Sequence, residues 1–240
     1  MEITAVQAAA ELRGQDDILI LSHQNPDGDT LGCAFSLWHA LTSLGKRAKV
    51  RCPDPFPQRF SYLYREYREE EFEERYIVAV DIAALQLMGG LQDRYGARID
   101  LCIDHHPSNG MFAKKNCVRP SAAAACEILF EVINQLNVPV TPLIADCLYT
   151  GIATDTGCFR FSNTSQNTHT VAARLFEQGA DYGFINQYLF ETKSRARLTV
   201  EREALNSVRF YYDDRVAVIH ISQEMIQQSN ADESELDGVS

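Results

Sequence analysis

Three short apolar runs, Ile18–Ser22, Tyr76–Val80 and Ile99–Ile103, are each followed at once by a His or an Asp. Continuous apolar runs of this length, bounded by polar residues, read as buried strands. A weaker strand is predicted over Ala48–Cys52 and a short one near Asn116–Val118. Helical patterns alternate with them: residues 3–13, Leu31–Leu44 with Gly45 as its C′ residue, and Leu85–Tyr95. Ser121 is predicted to N-cap a helix reaching Leu136. Thr141-Pro142 opens another toward Ala153. Two more are expected over Thr168–Gln178 and Tyr182–Phe190. The prolines of Arg51–Pro57 mark a loop, and the acidic run Glu69–Glu74 reads as a solvated face. Strands alternating with helices at this spacing predict βαβ units. The expected fold class is α/β, a mainly parallel five-stranded sheet with helices on both faces, plus the start of a second, smaller α/β domain.

The tail differs in character. Ala196–Arg209 is predicted helical, and Val208–Tyr212 with Val216–Ile221 reads as a hairpin around Asp213-Asp214, followed by the polar end ADESELDGVS. One hairpin is not a self-sufficient domain, so the boundary is placed between residues 192 and 193. With 45% hydrophobic and 23% charged residues in 240, the chain has the composition of a soluble globular protein. The net charge of −11 argues against stable duplex-DNA binding, which uses a basic face. No run approaches the roughly 20 apolar residues of a membrane span, and the start MEITAVQAAAELRG has no signal-peptide pattern. Seven cysteines without a C-x-x-C fit free, mostly buried thiols in a reducing cytoplasm.

The residues that carry chemistry fall in four segments: His23, Asp27 and Asp29 in HQNPDGD; Asp81; Asp104, His105 and His106; and Asp155 in GIATDTGCFRFSNTS. The first three directly follow strands. In open parallel sheets, ligands sit beyond the carboxyl ends of the strands. Carboxylates together with neutral imidazoles suit Mn²⁺, Fe²⁺, Co²⁺ or Zn²⁺, and an oxygen-rich set favours Mn or Mg over a thiolate metal. Five or six such ligands are too many for one tetrahedral ion and suit two, an arrangement that activates water and clamps phosphoryl oxygens. His39 and His169 are read as structural or surface residues, and His220 falls in the tail strand with no partner to assign. Phe56, Phe60, Tyr62 and Tyr64 are read as core rather than as a base-stacking platform.

These motifs, in this order and with DHHPSN at 104–109, resemble the DHH phosphoesterase superfamily over residues 15–195. The phrases are most similar to the group of enzymes that act on short oligoribonucleotides (nanoRNA) and on 3′-phosphoadenosine 5′-phosphate (pAp). Cyclic di-AMP phosphodiesterases and family II inorganic pyrophosphatases share the metal motifs and are the alternatives. The resemblance implies two divalent cations, Mn²⁺ with Mg²⁺ or Co²⁺ as substitutes. His23, Asp27 and Asp81 would hold one, and Asp29, Asp81, His105 and Asp155 the other, with Asp81 bridging. His106 would face the substrate phosphate, Asp104 would orient a ligand from behind, and Arg160, Asn163 and Thr164 would lie on the phosphate side. Asp81, His106 and Asp104 are thus the implied catalytic residues. Short RNA or nucleotide phosphates are the implied partners, and the oligomeric state is open, a homodimer included. Residues 1–192 correspond to the catalytic domain. Residues 193–240 resemble a linker helix and the start of the DHH-associated domain, without its glycine-rich histidine motif.

Overall fold

A computed structural model describes residues 1–231, in two compact units, 1–189 and 190 onward. The polar end beyond Ala231 lies outside the described residues.

The first unit is built on a five-stranded, all-parallel sheet: β1 (Ile18–Leu21), β2 (Ala48–Arg51), β3 (Tyr76–Val80), β4 (Leu101–Asp104) and β5 (Lys115–Val118), in the order β2-β1-β3-β4-β5. β1, β3 and β4 are buried along their whole lengths, which explains why they are uninterrupted apolar runs rather than alternating ones. Chain direction across the sheet reverses between β1 and β3. In such sheets the crevice at the reversal is the natural ligand site.

The helices of this unit are α1 (Ala5–Arg13), α2 (Gly28–Ser43), α3 (Gln92–Tyr95), α4 (Ala125–Gln135), α5 (Pro142–Asp155), α6 (Gln166–Glu177) and α7 (Tyr182–Asn186). On one face of the sheet, Leu19, Leu21, Ile77, Ala79 and Cys102 pack with Met88, Tyr95 and Ile99 into one cluster. The cover there is not the single helix predicted for Leu85–Tyr95. It is a 3₁₀ stretch over Leu85–Leu91 followed by the one-turn α3, because Gly89 breaks the helix at φ 48°. A Cβ at Gly89 would lie 3.2 Å from both Gln24 Oε1 and Pro53, so the break lets the backbone approach two neighbouring loops.

α2 and α5 pack by close approach of glycines. A Cβ on Gly32 would sit 2.4 Å from the Cys147 carbonyl oxygen, and one on Gly151 would sit 3.0 Å from Asp29 Cα. This contact brings the N-terminal turn of α2 beside the C-terminal half of α5.

Two sequence expectations are corrected here. Ser121 does not cap α4, which begins at Ala125 with Ala124 at the N-cap and no side-chain cap from that residue. The acidic run is not wholly solvated, because Glu74 is buried. Its Oε1 lies 3.2 Å from Nζ of buried Lys49 and accepts a 3.0 Å hydrogen bond from Tyr95. Phe60 is core, and Phe56 and Tyr64 pack on buried Phe35.

The second unit contains α8 (Arg195–Asn206), the antiparallel pair β6 (Arg209–Tyr211) and β7 (Val216–Val218), and α9 (Gln223–Ser229). Tyr212, Asp213 and Asp214 turn the hairpin with positive φ.

Candidate metal centre

Each segment singled out in the sequence delivers its side chains to the carboxyl edge of the sheet. After β1 the chain turns through Asn25, which adopts φ 51°, a conformation Asn tolerates. The turn ends at Asp27, the N-cap of α2, whose Oδ1 accepts hydrogen bonds from the amides of Asp29 (3.0 Å) and Thr30 (3.1 Å). His23 Nδ1 lies 2.7 Å from the Gln24 carbonyl oxygen. That bond leaves Nε2 directed at carboxylates: Asp27 Oδ1 at 3.7 Å and Asp81 Oδ2 at 3.6 Å.

Asp81 leaves β3 with φ 55°. A non-glycine residue held there stores strain, and such residues cluster at functional sites. β4 delivers Asp104, His105 and His106. His105 Nε2 has three carboxylate neighbours: Asp155 Oδ2 at 3.2 Å, Asp81 Oδ1 at 3.6 Å and Asp29 Oδ2 at 3.8 Å. Asp155 is the last residue of α5. Ligand atoms of His23, Asp27 and Asp81 lie within 4.8 Å of one another, as do those of Asp29, His105 and Asp155, and those of Asp81, His105 and His106.

Asp29 is fully buried. Its carboxylate accepts the amides of Ala125 (2.6 Å) and Cys126 (3.0 Å). The missing cap of α4 is therefore supplied by a residue almost a hundred positions earlier, which meets the need of the helix's first amides for an acceptor. That explains why no capping residue stands before Ala125.

Asp104 lies behind the cluster. Its Oδ1 is 2.8 Å from His106 Nδ1, and its Oδ2 accepts 2.6 Å from Asn109 Nδ2. Burial raises the pKa of Asp104, but the His106 and Asn109 bonds outweigh it and hold the carboxyl below its usual range. Asn109 also donates to the Ile82 carbonyl, next to Asp81. It therefore ties the β3 and β4 loops together, a role its place in DHHPSN does not disclose.

The phosphate-side candidates divide. Asn163 Nδ2 donates to the carbonyls of Asp155 (3.0 Å) and Ala123 (3.2 Å), bracing the end of α5. Arg160 Nε donates to the Gly157 carbonyl at 2.6 Å. Thr164 Oγ1 is buried without a hydrogen-bond partner. The neighbouring Ser165 caps α6. His169 stacks on Phe159, and half-buried His39 packs edge-on against Trp38.

The cluster's electrostatics ask for cations. Burial raises the pKa of Asp81, and repulsion from Asp29 adds to it. Burial, reinforced by Asp155, pushes Asp29 up to about 7. Asp155 is raised by burial despite its contact with His105. Burial pulls His23 and His105 down, but the facing carboxylates prevail and lift them to about 11 and about 10. Burial raises Asp27 too, but its bond to His23 prevails and holds it below the usual range, whereas without a cation the crowding of Asp29, Asp81 and Asp155 favours their protonated forms. Asp81 Oδ1 and His105 Nε2 are buried with no aligned hydrogen-bond partner, an unmet demand that a coordinated ion removes. Four carboxylates and two imidazoles form an oxygen-rich donor set of the kind that holds Mn²⁺ or Mg²⁺.

Comparison with known proteins identifies relatives of the chain. The chain is 32% identical over 222 residues to a protein of Thermus thermophilus named bifunctional oligoribonuclease and PAP phosphatase NrnA, covering 90% of this chain and 66% of that one. It is 31% identical over 193 residues to the Mycoplasma genitalium protein of the same name, covering 78% and 61%. It thus spans less than two thirds of the length of these relatives. Among solved structures, an exopolyphosphatase-related protein of Bacteroides fragilis superposes with a TM-score of 0.88 at 25% identity, over 98% of this chain and 74% of that one. The N-terminal domain of the DHH family matches residues 17–152, more than half of the sequence, and the chain belongs to that family.

Proposed function

We propose that this chain carries the catalytic domain of a divalent-metal-dependent phosphoesterase that hydrolyses short oligoribonucleotides and pAp. The observation that supports it most is His105 Nε2 standing within 3.8 Å of three carboxylates from three different elements. The names of the relatives supply the substrate class. His23, Asp27 and Asp81 would hold one Mn²⁺, and Asp29, Asp81, His105 and Asp155 a second. Bound there, such cations supply Lewis acidity that lowers the pKa of a coordinated water and offsets charge on phosphoryl oxygens.

The protein's own groups do the positioning. Asp104 accepts the Nδ1 proton of His106, which fixes the ring's orientation and leaves its Nε2 edge to face the substrate. His106 is the most exposed side chain of the His-Asp set apart from Asp27, at 41% against 13% for His105, consistent with a place on the substrate side. Asn109 holds the second oxygen of Asp104, and Asn163 holds the carbonyl of Asp155, so both acids are fixed from behind. The buried contact of α2 with α5 closes the floor of the site against water. Residues 193–240 are read as a linker helix and the start of a substrate-binding domain.

Cation binding is expected to stabilise the fold, because it relieves the carboxylate crowding. At about 100-fold excess over Kd a ligand adds roughly 2.7 kcal/mol. At about 2–4 °C per kcal/mol for a chain of this size, Mn²⁺ should raise Tm by roughly 5–10 °C in a calorimetric scan. No shift at millimolar Mn²⁺ would remove the metal centre from the account.

The reaction is tested by incubating the chain with pAp, a triribonucleotide, cyclic di-AMP and pyrophosphate, with Mn²⁺ or with a chelator. The expected result is phosphate from pAp and mononucleotides from the RNA, with Mn²⁺ only. Cleavage of pyrophosphate or cyclic di-AMP alone would replace the substrate assignment, and hydrolysis undiminished by the chelator would overturn the metal dependence.

A further inference from the structure

Asp29 touches two thiols that the proposed phosphoesterase centre does not use. Cys33 stands one helical turn beyond it on α2, so the two share a helix face, and Cys33 Sγ lies 3.8 Å from Asp29 Oδ1. Cys126, at the start of α4, places its Sγ 3.5 Å from Cys33 Sγ and 3.7 Å from the Asp29 carbonyl oxygen. All three residues are fully buried. One ligand atom from each lies within 4.8 Å of the others. Space for this group comes from two glycines, because a Cβ on Gly151 would stand 2.4 Å from Cys126 Sγ and one on Gly32 would stand 3.0 Å from it.

The chemistry of this group is unlike that of its neighbour. Two sulfurs and one carboxylate select soft or borderline ions, whereas the His-Asp cluster selects harder ones. The edges also fit. With Zn–S near 2.3 Å and Zn–O near 2.0 Å, a tetrahedral ion places its sulfurs about 3.8 Å apart and sulfur and oxygen about 3.5 Å apart. Two observed edges, Cys33–Cys126 at 3.5 Å and Cys33–Asp29 at 3.8 Å, lie within a few tenths of an ångström of these values, and the third is within 4.8 Å. Asp29 Oδ2 is meanwhile 3.8 Å from His105 Nε2. Asp29 therefore belongs to both donor sets, with Oδ1 toward the thiols and Oδ2 toward His105, so an ion on the thiol side draws charge from the carboxylate that the neighbouring centre uses.

We propose that Cys33, Cys126 and Asp29 form a second, thiolate site for a single Zn²⁺ or Cd²⁺ ion, and that filling it weakens Asp29 as a ligand of the neighbouring centre and slows turnover there. The ion displaces two thiol protons, which pass to solvent, and no electrons are transferred. The inhibitory half of this proposal rests on the phosphoesterase reading, whereas the binding half stands without it.

The test uses the whole chain, reduced and metal-free, titrated with Cd²⁺ alone. A thiolate-to-metal charge-transfer absorption should grow and saturate at one ion per chain. Cys33→Ala and Cys126→Ala should each abolish it, while Cys52→Ala and Cys158→Ala, at the two cysteines that are not buried, should keep it. Should a variant fail to fold, the ¹¹³Cd resonance of the unsubstituted protein decides between mixed sulfur–oxygen and all-oxygen coordination. An absent band, a band that survives loss of Cys33 and of Cys126, or an all-oxygen resonance overturns the site. In Mn²⁺-loaded protein hydrolysing pAp, one equivalent of Cd²⁺ should lower turnover at least tenfold, and Cys126→Ala should need at least tenfold more Cd²⁺ for the same effect. Equal sensitivity overturns the inhibition. A chain that forms the band but hydrolyses nothing refutes the phosphoesterase reading and leaves the thiolate site standing.

Discussion

Asp81→Asn is expected to lower kcat for pAp by about 10²–10³-fold or more, the range seen when one group that stabilises transition-state charge is removed, and to raise the thermal stability of the metal-free protein. The two effects have one cause. Asp81 is almost completely buried and lies at the centre of the cluster, 3.6 Å from both His23 and His105. Burial and the charge of Asp29 push its pKa well above the carboxylate range. The folded state thus favours the protonated acid more than the unfolded chain does, and near neutral pH the ionised form costs stability. An amide resembles the protonated acid in shape and charge, so that cost disappears. Asn also tolerates the left-handed backbone that this position requires, which keeps the β3 loop intact. Steady-state kinetics and a thermal scan in chelator read the two effects separately. A variant that turns over at the parent rate with Mn²⁺ contradicts the role of Asp81, and a variant that is less stable without metal contradicts the electrostatic account.

Gly151→Ala is the second large effect, and it is expected to act on both stability and activity. The added Cβ would stand 2.4 Å from Cys126 Sγ, 2.6 Å from Asp29 Oδ1 and 3.0 Å from Asp29 Cα. A side chain can turn aside, but the backbone of α2 cannot, so the helices must separate. Overpacking of a tight core costs about 1–3 kcal/mol, which is a Tm decrease of roughly 2–12 °C in a chain of this size. Separation also moves Asp29 relative to Asp155, so kcat should fall in the population that remains folded. Gly90→Ala is the control, because a Cβ there meets nothing within 4 Å. It should stay within about 0.5 kcal/mol of the parent. If Gly151→Ala matches the control in both measurements, the glycine contact does not set the geometry of the site.

The parts of the fold legible in the sequence are those where one physical demand dominates. β1, β3 and β4 are buried on both sides, so their runs contain no polar residue until the strand ends, where the His or Asp of the crevice begins. The helix expected over Leu85–Tyr95 has the right apolar spacing but two adjacent glycines, and the backbone uses Gly89 to approach Gln24 and Pro53. The start of α4 is hidden for a different reason. Its cap is the carboxylate of Asp29, and no local rule reveals a cap that distant in sequence. Glu74 is likewise concealed in an acidic run, because its partner Lys49 lies on β2.

The same division holds for the site. His23, Asp27, Asp29, Asp81, His105 and Asp155 stand out because each is a metal-type ligand at or near an element's end. Asn109 and the pair Cys33–Cys126 do not, since their significance depends on neighbours that only the fold supplies. The i, i+4 spacing of Gly28 and Gly32 on α2 is a signal of close helix approach that the sequence does carry.

The central claim is that side chains from four separate segments share divalent cations. The most direct measurement is an anomalous difference map from crystals soaked in Mn²⁺. The account predicts two peaks, one among His23, Asp27 and Asp81 and the other among Asp29, Asp81, His105 and Asp155. Strong Mn²⁺ peaks elsewhere in the chain, with none in contact with Asp81, would contradict it.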